Sequence, residues 1–529
     1  MTSTPVPLTP ESAFQALSDL IFGHARTQPE ALAIRDPRNV LSYAALNERM
    51  DRVACALQRD GVKAGQCVAI CALSSVDYAC VFLGALRAGV VVAPLAPSVT
   101  PQILTGMLRD AQASLLFVDE AARALVEPEM DALPRIALDG SAAGRPLENW
   151  LAPAGMTATA VRIAPEAAFN IIYSSGTTGT PKGIVQSHGM RWTHMRRGLT
   201  YGYSAATRSL VSTPLYSNTT LVVFFPTLAL GGCVVIMPKF NAAEYLALAE
   251  QHRITHTMLV PVQYQRIMDC TDFDRRDLSS FQVKFCTSAP FAATLKADVV
   301  QRWPGGLVEF YGMTEGGGTC ILNAHQHPDK LHTVGQPAEG HDIRLIDEEG
   351  HELPAGSTGE VVGHSPAMMT GYYGQPEKTS EAEWYDATGR RFIRTGDVGR
   401  FDADGFLTLV DRRKDMIISG GFNLYPSDLE AVLREHPQIQ EVAVVGVPSR
   451  EWGETPVAYV VLREGQTVSS EDLLQWYQQR VGKTQRLSAL HFLAELPRSA
   501  IGKVLKRELR DLHLPTAPSA ASAASAASA

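Results

Sequence analysis

Tyr173-Ser174-Ser175-Gly176-Thr177-Thr178-Gly179-Thr180-Pro181-Lys182-Gly183 is a stretch of hydroxyl side chains and glycines around a single lysine. It follows the apolar run from Phe169 to Ile172, which predicts a buried strand. Glycine lets the backbone come close to an oxyanion, while Ser, Thr and Lys side chains supply hydrogen-bond donors and positive charge. The segment therefore indicates a loop that binds a polyphosphate. A solvated linker between two strands is the alternative interpretation.

The spacing in this loop excludes a Walker A motif, because Pro181 precedes Lys182 and Gly183 follows it. The loop instead resembles the phosphate-binding signature of the adenylate-forming superfamily, which contains acyl-CoA synthetases, aryl-CoA ligases, luciferases and peptide-synthetase adenylation domains. The resemblance extends from about Leu20 to about Leu514. Further similar motifs follow in the family's order: Tyr311-Gly312-Met313-Thr314-Glu315, Thr395-Gly396-Asp397, Asp411 to Pro426, and Pro497 to Lys503. The resemblance implies that ATP or AMP contacts Ser174, Ser175, Gly176, Thr177, Thr178, Gly179 and Lys182.

Length and composition limit the class of protein. A chain of 529 residues is too long for one hydrophobic core and predicts a large domain with at least one smaller one. The net charge of -8 argues against a nucleic-acid partner. The eight cysteines contain no CxxC pair, which predicts reduced, intracellular thiols and no zinc site. The start lacks a signal-peptide pattern, and no apolar run reaches about 18 residues, so we expect a cytoplasmic protein without a transmembrane segment.

Helical and buried-strand patterns alternate over most of the chain, which predicts parallel sheets with crossover helices. Short strands with Gly/Asp turns follow, and then a compact α+β pattern. The predicted fold class is α/β, with a large N-terminal domain of parallel α/β sheets, a small β subdomain and a small mobile C-terminal domain. The predicted segments are an N-terminal extension at 1–19, the large domain at 20–411 with its β subdomain at about 341–411, the small domain at 412–514, and a disordered Ala/Ser-rich tail at 515–529.

Tyr311-Gly312-Met313-Thr314-Glu315 directly follows a predicted strand at residues 307–310. Residues just past the carboxyl ends of strands line the crevice of an α/β sheet. Tyr311 offers a flat face for a purine, Thr314 a hydroxyl for a phosphate, and Glu315 a hard carboxylate for Mg²⁺. The resemblance implies these same roles, includes Gly312 in the nucleotide site, and adds Thr178 as a second metal contact. An ordinary turn is the alternative.

Two further motifs supply polar and charged groups. Thr395-Gly396-Asp397 is predicted to form a turn between two short strands, where Asp397 can accept hydrogen bonds from both ribose hydroxyls. Arg412 can donate to the same ribose or to the α-phosphate. Lys503 can stabilise charge between the acid and the α-phosphate as the acyl–O–P bond forms. The resemblance implies that Lys503 is the lysine needed for adenylation. The alternative interpretations are that Asp397 only forms the turn and that Lys503 is a surface lysine.

The resemblance also implies a moving small domain. Lys414 matches the family's hinge position, two residues after Arg412. One site cannot hold Lys503 for the first step and admit a thiol for the second without a change of arrangement. Gly420 and Gly421 would then border the passage for the pantetheine arm of CoA, because glycine permits close approach.

The predicted acid site comprises Tyr216, Ser217, Ser288, Ala289, Pro290 and Gly316. Tyr216 is in place for an aromatic gate, but Ser217 stands where many CoA ligases have His, which argues against a His-assisted carboxylate contact. The small residues Ser288, Ala289 and Pro290, with Gly316 to Gly318, leave room for a bulky or long acyl group.

The favoured function is an AMP-forming acid:CoA ligase. A carboxylic acid, fatty or aryl, attacks MgATP to give an acyl-adenylate, and the CoA thiol then takes the acyl group. Alternatives are an enzyme that loads a carrier protein's phosphopantetheine and a non-catalytic homologue that binds nucleotide and acid. Luciferase-type oxygenation has no supporting residue. The expected partners are ATP, a carboxylic acid and CoA, with Mg²⁺, in a monomer or homodimer, and the sequence does not identify the acid.

Overall fold

The computed structural model describes residues 8–9, 11–127, 130, 132–173, 182–412, 415–419, 422–449, 452–482, 485–499 and 502–513. For residues 411, 412, 418, 422 and 423 it describes the backbone alone. Several residues singled out by sequence lie outside the described residues: Ser174, Ser175, Gly176, Thr177, Thr178, Gly179, Lys414, Gly420, Gly421 and the tail 515–529.

The helices begin where polar caps precede apolar residues at helical spacing. Ser42, for example, caps its helix by accepting a hydrogen bond from the Ala45 N–H at 3.3 Å. Gly61 follows the end of that helix with a φ of 80°, a conformation that glycine adopts without strain. The helices are α1 Leu17–Thr27, α2 Tyr43–Arg59, α3 Val76–Arg87, α4 Pro101–Asp110, α5 Glu120–Arg123, α6 Leu147–Trp150, α7 His188–Arg197, α8 Asn218–Ala229, α9 Ala242–Gln251, α10 Pro261–Met268, α11 Ala293–Arg302, α12 Pro376–Glu381, α13 Pro426–Arg434, α14 Ser470–Gln478 and α15 Lys506–His513.

The central strands are short apolar runs, as expected for strands covered on both faces. The strands are β1 Leu32–Arg35, β2 Val40–Ser42, β3 Cys67–Cys71, β4 Val91–Leu95, β5 Ala113–Val118, β6 Arg135–Ala137, β7 Arg145–Pro146, β8 Ala168–Tyr173, β9 Gly183–Ser187, β10 Arg208–Val211, β11 Cys233–Ile236, β12 His256–Leu259, β13 Val283–Cys286, β14 Gly306–Gly312, β15 Thr319–Asn323, β16 Gln336–Pro337, β17 Asp342–Ile346, β18 Thr358–His364, β19 Gly371–Tyr372, β20 Glu383–Tyr385, β21 Arg391–Phe401, β22 Leu407–Arg412, β23 Ile417–Ser419, β24 Phe422–Leu424, β25 Ile439–Ser449, β26 Gly453–Leu462 and β27 Ala489–Phe492.

Two large sheets dominate the N-terminal part of the chain. Sheet 1 has the order β16-β15-β14-β13-β12-β10-β11-β1-β2, and its pairs from β14 through β1 are parallel. Sheet 2 has the order β19-β9-β8-β4-β3-β5-β6-β7, with parallel pairs from β8 to β7 and antiparallel pairs at β8–β9 and β9–β19. The carboxyl ends of parallel strands meet at one edge, so the segments after β10, β13 and β14 share an edge of sheet 1.

Two smaller sheets follow. Sheet 3 has the order β17-β18-β21-β20, with β22 paired to β21, and sheet 4 has the order β24-β23-β26-β25, with β27 paired to β26. The chain forms two compact units: the described residues up to Ser357, with Val361–Thr395 and Phe401–Thr408, and the remainder, continuous from Leu409. The mixed α/β architecture with a large N-terminal and a small C-terminal part confirms the predicted fold class. The exact domain limits and the mobility of the small domain stay predictions.

The structure corrects the interpretation of Thr395-Gly396-Asp397. The sequence predicts a turn between two strands, but these residues lie inside the continuous strand β21. Gly396 has a φ of 71°, so glycine absorbs a local irregularity that would otherwise end the strand. A smaller correction concerns β14, which extends through Tyr311 and Gly312 because these residues pair with Cys320 and Thr319 of β15.

Candidate active site

Lys182, Tyr372 and Glu315 form a cluster that joins two predicted site residues. The Lys182 Nζ lies 4.7 Å from the centre of the Tyr372 ring. The Tyr372 hydroxyl donates a hydrogen bond to Glu315 Oε1 at 2.9 Å. Burial, together with the neighbouring Glu315 carboxylate, raises the pKa of Tyr372 well above its usual value, so the phenol stays neutral and remains a donor. The predicted phosphate-binding cation and the predicted metal-binding carboxylate are therefore brought together by one tyrosine.

Strand pairing explains how Tyr372 reaches this position. Strand β19 pairs antiparallel with β9, and Tyr372 lies opposite Ile184, two residues after Lys182. The sequence analysis missed Tyr372, because nothing in a two-residue strand signals a partner far away in the chain. A short Gly-Tyr-Tyr run at 371–373 is the one local feature that could have drawn attention to it.

The backbone of the loop after β14 is held at three successive carbonyls. The Thr314 carbonyl accepts from Gln186 Nε2 at 2.8 Å, the Glu315 carbonyl from the Met369 N–H at 2.8 Å, and the Gly316 carbonyl from Ser365 Oγ at 2.7 Å. At Gly316, with a φ of 74°, a Cβ atom would lie 1.9 Å from the Ala367 carbonyl oxygen. Only glycine fits at this position, so Gly316 is needed for the backbone conformation of the loop.

Gln186 is the centre of a buried polar network behind this loop. Its side-chain oxygen accepts from Asn170 Nδ2 at 3.1 Å and from the Arg191 guanidinium. Arg191 also donates to Asn170 Oδ1 at 3.0 Å and lies over the rings of Phe169 and Phe225. Burial lowers the pKa of Arg191 to about 9. The network ties β8, β9 and α7 to the position of Thr314.

Tyr216, Ser217 and Ser288, three of the predicted acid-site residues, lie near the start of α8. Ser217 is buried just before α8, and Tyr216 beside it is half-buried. Ser288 shares a 2.6 Å hydrogen bond with Thr219 in the first turn of α8, which joins the segment after β13 to this helix. Ala289 is half-buried, whereas Pro290 is exposed. Burial raises the pKa of Tyr216, so its phenol is neutral at physiological pH.

A narrow cavity, partly open to solvent, lies between sheet 1 and helices α7 and α8. Its walls include Phe285, three residues before Ser288, and Phe310, which directly precedes Tyr311. Val222 and Val223, one turn into α8, form another wall. The sequence analysis missed this cavity, because it depends on how three strands and two helices pack together.

Asp397 and Arg412 lie on neighbouring strands of the second unit. Asp397 is half-buried on β21, and Arg412 ends β22, which pairs with β21. Their place on adjacent strands is compatible with two groups that contact one ribose.

Two hydrogen bonds connect Lys503 with Ser499 in the second unit. The Ser499 N–H donates to the Lys503 carbonyl at 2.8 Å, and the Lys503 N–H donates to Ser499 Oγ at 3.2 Å. Gly502 has a φ of 76°, and its carbonyl accepts from Arg498 Nη1 at 2.7 Å. Arg498 in turn pairs with Glu441 at 2.7 Å. Arg498 is thereby connected to β25, and Lys503 is half-buried just before α15.

Within the described part of the chain, none of the helices has both the length and the apolar character needed to cross a membrane.

Comparison with known proteins identifies the family. Residues 21–373 match the model of the AMP-binding enzyme family, and residues 428–503 match the AMP-binding enzyme C-terminal domain. An indoleacetate–CoA ligase from Aromatoleum aromaticum is 34% identical, over 94% of this chain and 98% of that protein. A feruloyl-CoA synthase from an Amycolatopsis species is 33% identical, over 94% of this chain and 99% of that protein.

A solved structure agrees with these matches. The o-succinylbenzoate CoA synthetase of Bacillus subtilis, in complex with an acyl-adenylate intermediate, superposes with a TM-score of 0.81 at 25% identity, covering 94% of this chain and 99% of that one. Because the family model matches well over half of the chain, and both relatives exceed 30% identity over nearly its whole length, the chain belongs to the AMP-binding enzyme family, within the adenylate-forming superfamily.

Proposed function

We propose that this protein is an AMP-forming ligase that joins an aryl carboxylic acid to CoA at the expense of ATP. The observation that carries the proposal is the cluster of Lys182, Tyr372 and Glu315 beside the loop of Tyr311, in a chain of the AMP-binding enzyme family. The two relatives are named for indoleacetate and feruloyl groups, and both contain an aromatic ring. The aromatic walls of the cavity at Phe285 and Phe310 support the same class of acid.

The proposed reaction has two steps. In the first, a carboxylate oxygen of the acid attacks the α-phosphorus of ATP, and pyrophosphate leaves as the acyl-adenylate forms. In the second, the CoA sulfur attacks the acyl carbon, AMP leaves, and the thiol proton is released. Neither step needs a covalent bond to the enzyme, so catalysis consists of positioning and charge stabilisation.

The residues of the first unit would bind and orient the nucleotide. Tyr311 stacks on the adenine, Thr314 contacts the α-phosphate, and Lys182, with the loop from Ser174 to Gly179, neutralises the phosphates. The hydrogen bonds to the loop carbonyls keep these groups in position before substrate arrives. Because the loop is already ordered, less conformational entropy of the protein is lost when the nucleotide binds.

Glu315 fits the requirements of Mg²⁺. A carboxylate oxygen is a hard ligand, and Mg²⁺ in phosphate sites is commonly held by one or two carboxylates together with substrate oxygens. The hydrogen bond from Tyr372 fixes the orientation of this carboxylate. Thr178 is the second proposed contact. When bound, the ion would neutralise negative charge on the phosphates.

The residues of the second unit would complete the first step. Asp397 and Arg412 hold the ribose, and Lys503 donates to the acid carboxylate and the α-phosphate, where negative charge develops. Rotation at Lys414 would then withdraw Lys503 and let CoA pass Gly420 and Gly421. A cytoplasmic location and a monomeric or homodimeric state belong to this proposal as well.

Half-reactions test the proposal directly. The protein with MgATP and a panel of aryl and fatty acids should release pyrophosphate with aryl acids, and AMP formation should then depend on CoA. Lys503→Ala should lose pyrophosphate release by roughly 100-fold or more, because one charged contact to the transition state is removed. It should still transfer the acyl group from a synthetic acyl-adenylate to CoA.

Arg507→Ala is the matched control, because Arg507 is an exposed cation on the adjacent helix α15. It should behave like the unaltered protein in both half-reactions. If pyrophosphate is released but the acyl group passes only to a phosphopantetheine carrier protein and never to CoA, the acceptor is the carrier protein. No pyrophosphate with any acid would contradict the ligase and favour a homologue that only binds.

A further inference from the structure

The cavity between sheet 1 and helices α7 and α8 contains a cation that the proposed chemistry does not use. Arg197, the last residue of α7, lines this cavity together with His194. Its guanidinium carbon lies 5.2 Å from the centre of the Phe310 ring. The remaining walls are aromatic or apolar, including Tyr201, Phe285 and Met258. Arg197 therefore lies in a cavity whose other walls are mostly aromatic or apolar.

Arg197 has no carboxylate partner among the residues that the structure describes. Arg197 is half-buried, and burial lowers its pKa. The neighbouring His194 supplies no negative charge, since burial and the nearby Arg197 charge lower its pKa and keep the ring neutral. A desolvated cation without an anion is costly, so this position favours a ligand that brings an acceptor.

Two other buried cations, Lys284 on β13 and Lys296 on α11, have acceptors within the protein. Lys284 on β13 donates to the carbonyls of Trp303, Pro304 and Gly305 at 3.1, 2.7 and 2.7 Å. Lys296 pairs with the Glu309 carboxylate and donates to two further carbonyls. Both lysines thus have acceptors within the protein, whereas Arg197 has no carboxylate partner among the described residues.

The position of the cavity relates Arg197 to the proposed acid site. The cavity wall at Phe310 continues directly into Tyr311, and the wall at Phe285 lies three residues before Ser288. The wall at Val222 lies one turn into α8, the helix that begins after Ser217. An acid whose carboxylate lies among these segments would extend its far end into the cavity, toward Arg197.

We propose that Arg197 is a specificity residue that selects aromatic acids carrying a hydrogen-bond-accepting oxygen on the ring, at the end opposite the activated carboxylate. The inference rests on the proposed function for the location of that carboxylate. Arginine donates in a rigid planar fork, so it suits a phenol or carboxylate oxygen and gives no gain with a methyl group. A site built to hydrogen-bond a substrate group discriminates strongly against the analogue that lacks it.

Matched acid pairs test this inference. The 4-hydroxy and 4-methyl derivatives of benzoate, phenylacetate and cinnamate are similar in size and differ in the acceptor. For the ring scaffold that binds best, the unaltered protein should favour the hydroxy acid by about 10- to 100-fold in kcat/KM. In Arg197→Met this preference should fall to nearly one, while turnover of the methyl acid is retained.

Arg196→Met is the matched control, because Arg196 is the preceding residue of α7 and does not line the cavity. It should keep the preference for the hydroxy acid. An unchanged preference in Arg197→Met, or a preference of the unaltered protein for the methyl acid, would overturn the inference.

Calorimetric binding of the same acids separates this inference from the proposed function. If no acid is turned over but the hydroxy acid still binds more tightly, and the difference disappears in Arg197→Met, the inference holds and the ligase proposal fails. If acids are turned over without any difference between the members of a pair, the ligase holds and the inference fails. If none of the six acids binds, the inference fails.

Discussion

Tyr372 is a single residue that contacts both a cation and an anion of the candidate site. Its ring lies against the Lys182 ammonium, and its hydroxyl holds a Glu315 oxygen. A phenol can do both because its face attracts a cation while its hydroxyl donates to an anion. Tyr372 therefore links Lys182 to Glu315 in the structure.

Tyr372→Phe should separate these two contacts. The ring remains, but the Glu315 carboxylate loses a donor, so we expect pyrophosphate release to fall roughly 10- to 100-fold, as for the loss of a hydrogen bond to a charged group. The Mg²⁺ concentration for half-maximal activity should rise, and the melting temperature should change little. Tyr373→Phe, altered at the next residue, is the control. Unchanged kinetics in Tyr372→Phe would show that the Tyr372 hydroxyl does not contribute to pyrophosphate release.

The elements around Gln186 act together through buried polar groups. Strands β8 and β9 supply Asn170 and Gln186, helix α7 supplies Arg191, and the loop after β14 supplies the Thr314 carbonyl. Arg191 is fully buried, and its Nη1 atom has no hydrogen-bond partner among the described residues. Such a network stabilises the arrangement only while each member keeps its partners.

Double substitution measures this coupling. Gln186→Leu should destabilise the protein by about 1–3 kcal/mol, because it leaves Arg191 with one fewer acceptor, and it should raise the KM for ATP by loosening Thr314. Arg191→Leu should also be destabilising. The double variant should lose less stability than the sum in urea unfolding, since neither partner is then left unpaired. The exposed Gln265→Leu is the control, and strict additivity would contradict the coupling.

Local sequence was sufficient for elements whose signals are local. Ser42 caps α2 directly before residues with apolar helical spacing, and Gly231-Gly232 lies between α8 and β11, so these boundaries carry a local sequence signal. The Tyr311 and Glu315 loop could also be found, because it follows a strand at the edge where parallel sheets bind ligands. These features depend on residues that lie close together in the chain.

Features formed by distant segments could not be predicted in this way. Tyr372 reaches Glu315 through the pairing of β19 with β9, and the Arg197 cavity requires α7, α8 and sheet 1 together. At 395–397 the same Thr-Gly-Asp composition suits a turn or an irregular strand, and only the pairing of β21 decides between them. Local propensity carries no information about such pairings.

On the scale of the whole molecule, burial of histidines links stability to pH. His188 begins α7 and packs edge-to-face on Phe169, with ring centres 4.8 Å apart. Burial lowers its pKa to about 4. Burial, with nearby cationic side chains, also lowers the pKa of His341 to about 4 and that of His194 well below its usual value. Each of these rings is therefore neutral in the folded protein at pH values where the unfolded chain is protonated.

Acidification should consequently destabilise the fold over a defined range. Above pH 6.5 neither state of His188 binds a proton, and below about pH 4 both do. Between these values the unfolded chain binds more protons, so the unfolding free energy should fall with falling pH, by at most about 1.4 kcal/mol per pH unit for one histidine. His188→Phe, which keeps a ring against Phe169, should make this decline shallower in urea unfolding at pH 7, 6 and 5. His332→Phe, at an exposed position, should leave it unchanged. Equal slopes for the two variants would contradict the assignment, because a buried neutral histidine must lose stability where a solvated one does not.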